Sequence, residues 1–369
     1  MNQLVSEFEK LKKFYNNNEF DKILNNDFGI YFLKLRSLSR TPILRELADG
    51  LNISHQNIRG KGDELFKFIF SKNIDEKYLD KFILKKYDNE RNNRIGDENE
   101  LYSQLYKLKT FGWGGFHQNS VERNIVNNYV KKIKNYDQLC LSIENDINPR
   151  LKEYVLASWY NNWTSILIED MFNQHEDIIP AVGQIKKIDF FWNNFPFDLK
   201  VTYFPDGFIQ QKRKEKGLKK EVTILKKFAR DNDIYYDRND KDSEIFSELF
   251  NKISEDPSQS AKNFIKEFKN TRTEIINESL KNPKELIIWL YENQGTRRFD
   301  ASNRLFIILI DKENMDDSWK LKRNKKILTQ AIDNFLNMHK KIDFKKLKIM
   351  FNWESKQYNT YATSLYIFK

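Results

Sequence analysis

Only one cysteine, Cys140, occurs in 369 residues. An internal disulfide is therefore excluded, and the chain suits a reducing compartment. With four histidines and that single thiol, no Cys/His zinc constellation can be assembled. Glycine is scarce, at 12 residues, and none of the glycine-dependent signatures occurs. There is no G-x-x-x-x-G-K-[ST] phosphate loop, no G-x-G-x-x-G dinucleotide loop and no G-x-S-x-G elbow. A P-loop motor, a Rossmann dehydrogenase and an α/β-hydrolase are thereby set aside. No stretch approaches the roughly 20 apolar residues that a membrane span needs. The opening "MNQLVSEFEKLKKFYNN" lacks the uninterrupted apolar core of a signal peptide. A cytoplasmic protein with no membrane partner is expected. Internal repeats and long low-complexity segments are also missing.

Core-forming residues are plentiful. Hydrophobic residues make up 40% of the chain, and the aromatics include 29 Phe and 17 Tyr. A globular protein follows, since disordered chains lack such material. Lys and Arg number 63 against 53 Asp and Glu, a net charge of +10. That balance suits a polyanionic partner, although many unrelated proteins share it.

Residues 1 to about 95 read as helical, and the texture changes at "GDENELYSQLYKLKTFGWGGFHQN". Residues 151–174 have helix-like apolar spacing with no Pro or Gly. A hairpin-like segment follows, then a basic stretch "QKRKEKGLKK" and further helices. "NRLFIILID" (303–311) reads as a buried strand, a helix follows it, and the tail holds one or two more strands. The order predicts a mixed α/β fold in two domains: a mostly helical one over 1–100 and an α/β one over 101–369.

The chemistry concentrates in "KKIDFFWNNFPFDLKVTYFP" (186–205). Asn tolerates left-handed backbone angles, so Asn193-Asn194 is a candidate two-residue turn. Such a turn pairs Trp192 with Phe195, Phe190 with Phe197 and Asp189 with Asp198. Alternation then gives one apolar face, with Ile188, Phe190, Trp192, Phe197, Leu199 and Val201. The other face holds Lys187, Asp189, Phe191, Pro196, Asp198 and Lys200. Directly opposed residues lie about 4.5–5.5 Å apart, so the two carboxylates repel unless a proton or a divalent cation compensates. Hard oxygen ligands suit Mg²⁺. Lys200 lies about 6.6 Å along the strand from Asp198, where an ammonium orients water or stabilises phosphate charge. A wet, solvent-facing hairpin is the bland alternative, and for a lone Asp-x-Lys it would prevail. The paired register favours metal-assisted phosphodiester hydrolysis. Glu169, near the end of the preceding helix, is a further carboxylate, but periodicity does not show which way it points.

Helix-borne Glu169, then Asp189, then Asp198-Leu199-Lys200 resembles the PD-(D/E)xK nuclease superfamily. The text "SWYNNWTSILIED…IPAVGQIKKIDFF…FPFDLKVTYFP" and the later "LYENQGTRRFDASNRLFIILID" are similar to type II restriction endonucleases within it. The resemblance covers roughly residues 150–370, on short motifs, and departs from the pattern in having Ile188 where Pro is usual. It implies a restriction-endonuclease-like core sheet flanked by helices, Mg²⁺ dependence and cleavage of double-stranded DNA by a homodimer. A separately encoded cognate DNA methyltransferase is also implied. Carried over, Asp189 and Asp198 ligate Mg²⁺, Lys200 positions the attacking water and Glu169 is an accessory carboxylate. Gln184 is a candidate neighbour, though a surface glutamine is the plainer reading.

"TPILRELADGLNISHQNIRGKGDELFKFIF" (41–70) fits two DNA-binding patterns. One is a helix-turn-helix, which Gly60 and Gly62 would break; the other is the helix-extension-helix of SAP-type modules. A plain helical bundle stands beside both. Arg59 and Lys61 are its candidate DNA contacts, and Arg297 and Arg298 are a second pair, although surface or phosphate contacts are commoner for such arginines. The basic runs "KKIK", "KRKEKGLKK", "KLKRNKK" and "KKIDFKKLK" are mostly what solvated helix faces look like. The expectation is a Mg²⁺-dependent, sequence-specific endodeoxyribonuclease. Its alternatives are a non-catalytic DNA-binding regulator and a nuclease of the same fold acting on branched DNA or RNA.

Overall fold

The computed structural model describes residues 2–56, 58, 62–113, 120–183, 185, 187–293 and 301–369. Among the described residues are sixteen α-helices and six strands, so the fold is mixed α/β. The strands are β1 (Ile178–Pro180), β2 (Phe190–Trp192), β3 (Phe195–Tyr203), β4 (Arg304–Ile310), β5 (Lys348–Trp353) and β6 (Lys356–Phe368). They form one sheet in the order β1-β2-β3-β4-β6-β5. β1, β2 and β3 run antiparallel in succession, as do β5 and β6. Lys369 N–H donates to Ile310 O (3.1 Å), and Lys369 O accepts from Lys312 N–H (3.2 Å). One residue serving two that flank a single position is the parallel pattern, so β6 ends alongside β4 in parallel.

The turn residues take the backbone that their chemistry favours. Asn193 and Asn194 have φ of 45° and 66°, the doubly left-handed turn that matches strand twist. The pairs Trp192↔Phe195 and Phe190↔Phe197 have the expected register.

The chain divides into two compact units. One comprises Met1–Val201, Ser302–Leu305 and Asp316–Phe344; the other comprises Thr202–Ala301, Phe306–Met315 and Lys345–Lys369. This differs from a boundary near residue 100. The reason is the core of the first unit, where Phe8, Leu11, Phe32, Phe66, Phe70 and Ile83 pack in one cluster with Val182, Ile185, Ile188 and Phe191. The first hundred residues thus share their apolar interior with the hairpin region. Lys34 reinforces the join. Fully buried, its Nζ contacts Glu76 at 2.8 Å, Asp80 at 2.7 Å and the turn residue Asn194 Oδ1 at 2.6 Å.

The region 41–70 forms two helices, Thr41–Gly50 and Gly62–Phe70. Residues 51–56 are not helical, so no recognition helix starts at Ser54, and the helix-turn-helix pattern is not formed. Leu65, Phe66, Ile69 and Phe70 of the second helix are buried. Arg59, Lys61, Gln184, Arg297 and Arg298 lie outside the described residues.

In the second unit, one core joins Phe208, Ile209, Leu286, Tyr291, Ile308 and Phe351. A second apolar cluster, with Leu225, Leu249, Ala261 and Phe268, belongs to its helical part. Among the described residues no helix is long and apolar enough to cross a membrane.

Candidate active site

The long helix Asn148–Asn173 continues directly from a π-helical turn, Ile143–Ile147, and carries Pro149 at the junction, where the widened turn accommodates a residue without an N–H. It has no glycine or further proline. Its Phe172 ring stacks on Phe190 of β2 at 5.3 Å. That contact fixes the helix end, and with it Glu169, beside the hairpin.

β2 is shorter than alternation predicts, and both its faces are covered. Phe190, Phe191 and Trp192 are all fully buried. Phe191 joins the cluster built by the N-terminal helices. Trp192 meets Phe335 and Phe344, each at 5.5 Å. The ladder stops at Phe190 because Lys187 adopts a left-handed φ of 66° and Asp189 N–H turns to Phe197 O (2.8 Å). The Leu199 N–H would have sought a main-chain acceptor on a longer β2. It donates instead to Asp189 Oδ2 at 2.7 Å. The Asp189 carboxylate thereby replaces a ladder acceptor.

Asp198 lies inside β3 and is 5% exposed. Three groups donate to it: Lys200 Nζ to Oδ1 at 2.7 Å, and Arg304 Nε at 3.2 Å and Ser302 Oγ at 3.4 Å to Oδ2. Its own N–H donates to Asn303 O (2.9 Å). Lys200 is exposed beyond the charge it pairs with.

The Asp189 carboxyl lies in the field of Asp198, although the paired ladder ends one residue short of it, at Phe190↔Phe197. Burial, then the neighbouring Asp198 charge, pushes the Asp189 carboxyl up to about 6, against the pull of the Leu199 N–H and Lys200. Glu169 is pushed up to about 8, chiefly by burial and then by the charge of Asp189, with Arg94 opposing. The charge of Asp198 thus acts on Asp189, and that of Asp189 on Glu169. Carboxyls raised in this way by burial and a neighbouring charge are ones that a cation or proton relieves.

Glu169 and Asp189 line a cavity of about 380 Å³ together with Arg40, Glu90, Arg91 and Arg94. Asp198 and Lys200 do not line it. Sequence reasoning missed these arginines, which come from far upstream, Arg40 from the link before the helix Thr41–Gly50 and Arg91 and Arg94 from the helix Glu76–Ile95, and carry no local signal. Asp170, next to Glu169, has a different role. It is buried and accepts hydrogen bonds from Tyr87 Oη, from Arg91 Nε at 3.1 Å and from Arg94 at 3.2 Å. It anchors the helix Glu76–Ile95 and so holds Arg91 and Arg94 at the cavity. Arg304 was also missed, although an arginine opening an otherwise apolar strand hints at a buried anion.

Among the described residues, no three His, Cys, Asp or Glu side chains are gathered as a cage for an ion. Mg²⁺ does not need one, since it keeps several waters and takes one or two carboxylates plus phosphate oxygens. Asp189 and Asp198 are two carboxylates of the hard-oxygen kind that would suit it. Comparison with protein-family models, with curated proteins and with solved structures returns no match for this chain.

Proposed function

We propose that the protein is a metal-dependent phosphodiester hydrolase. The more particular reading is a Mg²⁺-dependent, sequence-specific endonuclease of the PD-(D/E)xK kind, acting on double-stranded DNA like a type II restriction enzyme, as a cytoplasmic homodimer. One observation carries it. Asp189 feels the charge of Asp198, with Lys200 Nζ 2.7 Å from Asp198 and helix-borne Glu169 in the field of Asp189.

In this reading Asp189 and Asp198 would hold Mg²⁺, which supplies phosphate charge neutralisation and an acidified water. Lys200, held by Asp198 at 2.7 Å, would orient an attacking water and meet charge developing on the phosphate. Arg304 and Ser302 keep the Asp198 carboxylate in place. Glu169, protonated near neutral pH while it feels Asp189, is suited to hold a proton on the cavity side. Arg40 and Arg94 favour an anion in the same cavity.

A second reading rests on the same Asp198. A carboxylate satisfied by Lys200, Arg304 and Ser302 is also what a structural ion pair looks like, and a non-catalytic DNA-binding regulator would keep it.

Purified protein incubated with unmethylated plasmid, with Mg²⁺ and with EDTA, beside Lys200→Ala, separates the two. Discrete fragments that require both Mg²⁺ and Lys200 support the restriction-type enzyme. A smear with the same dependence removes the sequence specificity. Intact DNA that the protein nevertheless binds favours the regulator. Branched DNA and RNA in the same assay test the remaining substrates.

A further inference from the structure

The second unit contains a concave surface that the catalytic reading does not use. The helix Glu221–Asp231 and residues 233–242 enclose a groove of about 1090 Å³. Six cations line it: Lys219, Lys220, Lys226, Lys227, Arg230 and Arg238. Only Asp233 and Asp242 oppose them there. Lys226 pairs with Asp242 at 2.7 Å, and Arg230 with its neighbour Asp231 at 3.3 Å. Lys219, Lys227 and Arg238 are exposed and carry no ion pair among the described residues.

The spacing along the helix suits a polyanion. Lys220 stands at the N-cap, and Lys220, Thr223, Lys227 and Arg230 recur three or four residues apart, on one face. Each step advances about 4.5–6 Å at 1.5 Å per residue. A flat apolar or protein partner needs no such ladder. A chain of phosphates does.

Tyr235 adds what a simple phosphate site lacks. It lines the same groove and is 80% exposed as a residue. Tyr236 beside it packs partly into the apolar cluster below and is the anchor of the pair. A basic groove with a bare aromatic ring combines backbone tracking with base stacking, the physics of single-strand binding. In duplex DNA the base faces are stacked and closed to such a ring. A lysine-rich helix face that is merely solvated has neither the concavity nor the exposed tyrosine.

We propose that this groove binds a single polynucleotide strand, its phosphates along the helix Glu221–Asp231 and a base on Tyr235. The site shares no residue with Asp189, Asp198 and Lys200 and does not require them to cleave anything.

The test measures fluorescence anisotropy of labelled oligo(dT), oligo(rU) and a duplex of mixed sequence, in EDTA, over a salt series. EDTA keeps the result independent of cleavage, so failure here and failure of the nuclease reading are read separately. The triple variant Lys219→Ala, Lys227→Ala, Arg238→Ala should bind oligo(dT) at least ten-fold more weakly. Its log-affinity against log-salt slope should shrink by about 0.7 for each phosphate that is no longer neutralised. Tyr235→Ala should weaken single-strand binding by about five-fold or more and leave duplex binding unchanged. Replacing the same three cations by their basic counterparts (Lys→Arg, Arg→Lys) should restore the slope, which loss of fold would not permit. Equal affinity for oligo(dT) and oligo(rU) assigns the site to phosphates and base faces alone; preference for one identifies the strand. Unchanged affinity and slope in both variants overturns the proposal. So does a loss confined to binding of anionic phospholipid vesicles.

Discussion

Lys200 Nζ lies 2.7 Å from Asp198 Oδ1, two residues back along the same strand. The lysine is exposed while the aspartate is buried. A cation is therefore held at the mouth of the acid pair rather than inside it. In the proposed enzyme, Lys200→Ala should lower the cleavage rate by about 10²–10⁴-fold, the range for a positioned proton-transfer or charge-stabilising group. DNA affinity should remain. Single-turnover cleavage and a binding titration on the same preparation check both parts, and cleavage at the wild-type rate would remove Lys200 from the reaction.

The proposed ion should stabilise the fold. A cation that binds only the native state raises the unfolding midpoint with its concentration. Calorimetric scans of the wild type should move upward as Mg²⁺ is added. Asp189→Asn should abolish that response while leaving the protein folded. An equal Mg²⁺ response in both proteins would separate the ion from Asp189.

In the second unit Arg272 grips Glu221 through two hydrogen bonds, Nε to Oε1 at 2.8 Å and Nη2 to Oε2 at 2.7 Å. Both residues are buried. Glu221→Ala leaves the Arg272 guanidinium without its buried counter-charge, the exposed Asp206 at 3.4 Å being a weaker partner, and should cost about 3 kcal/mol. Replacing both with apolar residues should cost less than the sum. A double-mutant cycle from urea unfolding measures the difference.

Lys322 is buried among Trp319 and Leu321 and donates to Asn161 Oδ1 at 2.7 Å. Burial pushes its ammonium down to about 8. An unfolded lysine titrates near 10.4, roughly, so between these values the unfolded chain binds the extra proton. Stability then rises with pH through that window. Below about pH 8 the buried charge is a penalty that Lys322→Met lacks. The variant should exceed the wild type in urea midpoint near neutral pH, and the gap should close as the pH approaches the unfolded value. A constant gap would show that Lys322 does not titrate in the fold.

Much of the hairpin was legible because it depends on neighbours in sequence. Asn193-Asn194 announces its turn, and the turn fixes which residues face each other from Trp192↔Phe195 to Phe190↔Phe197; that the ladder breaks before Asp189 was not legible. Long, glycine-free spacing likewise marks the helix that ends at Asn173, and the apolar run after Asn303 marks β4. Residues brought from elsewhere were not legible. Alternation assigns Phe191 to a polar face, yet the N-terminal helices bury it. Arg304 reaches Asp198 from far downstream, and Arg91 and Arg94 approach by way of Asp170. Glu169 could not be oriented by periodicity. Its orientation depends on Phe172 stacking against Phe190, a tertiary contact that no local pattern encodes.

The stack of Phe195 on Phe344, with centroids 4.8 Å apart and planes 5° from parallel, has a bearing on biosynthesis. Phe344 closes its compact unit in sequence, whereas Phe195 opens the strand that bears Asp198. A chain emerging from the ribosome cannot form that stack until Phe344 has been made, and pairings so distant in sequence are slow to close. The strand that bears Asp198 therefore completes its packing late, after Ser302 and Arg304, the other distant partners of that strand, have been made.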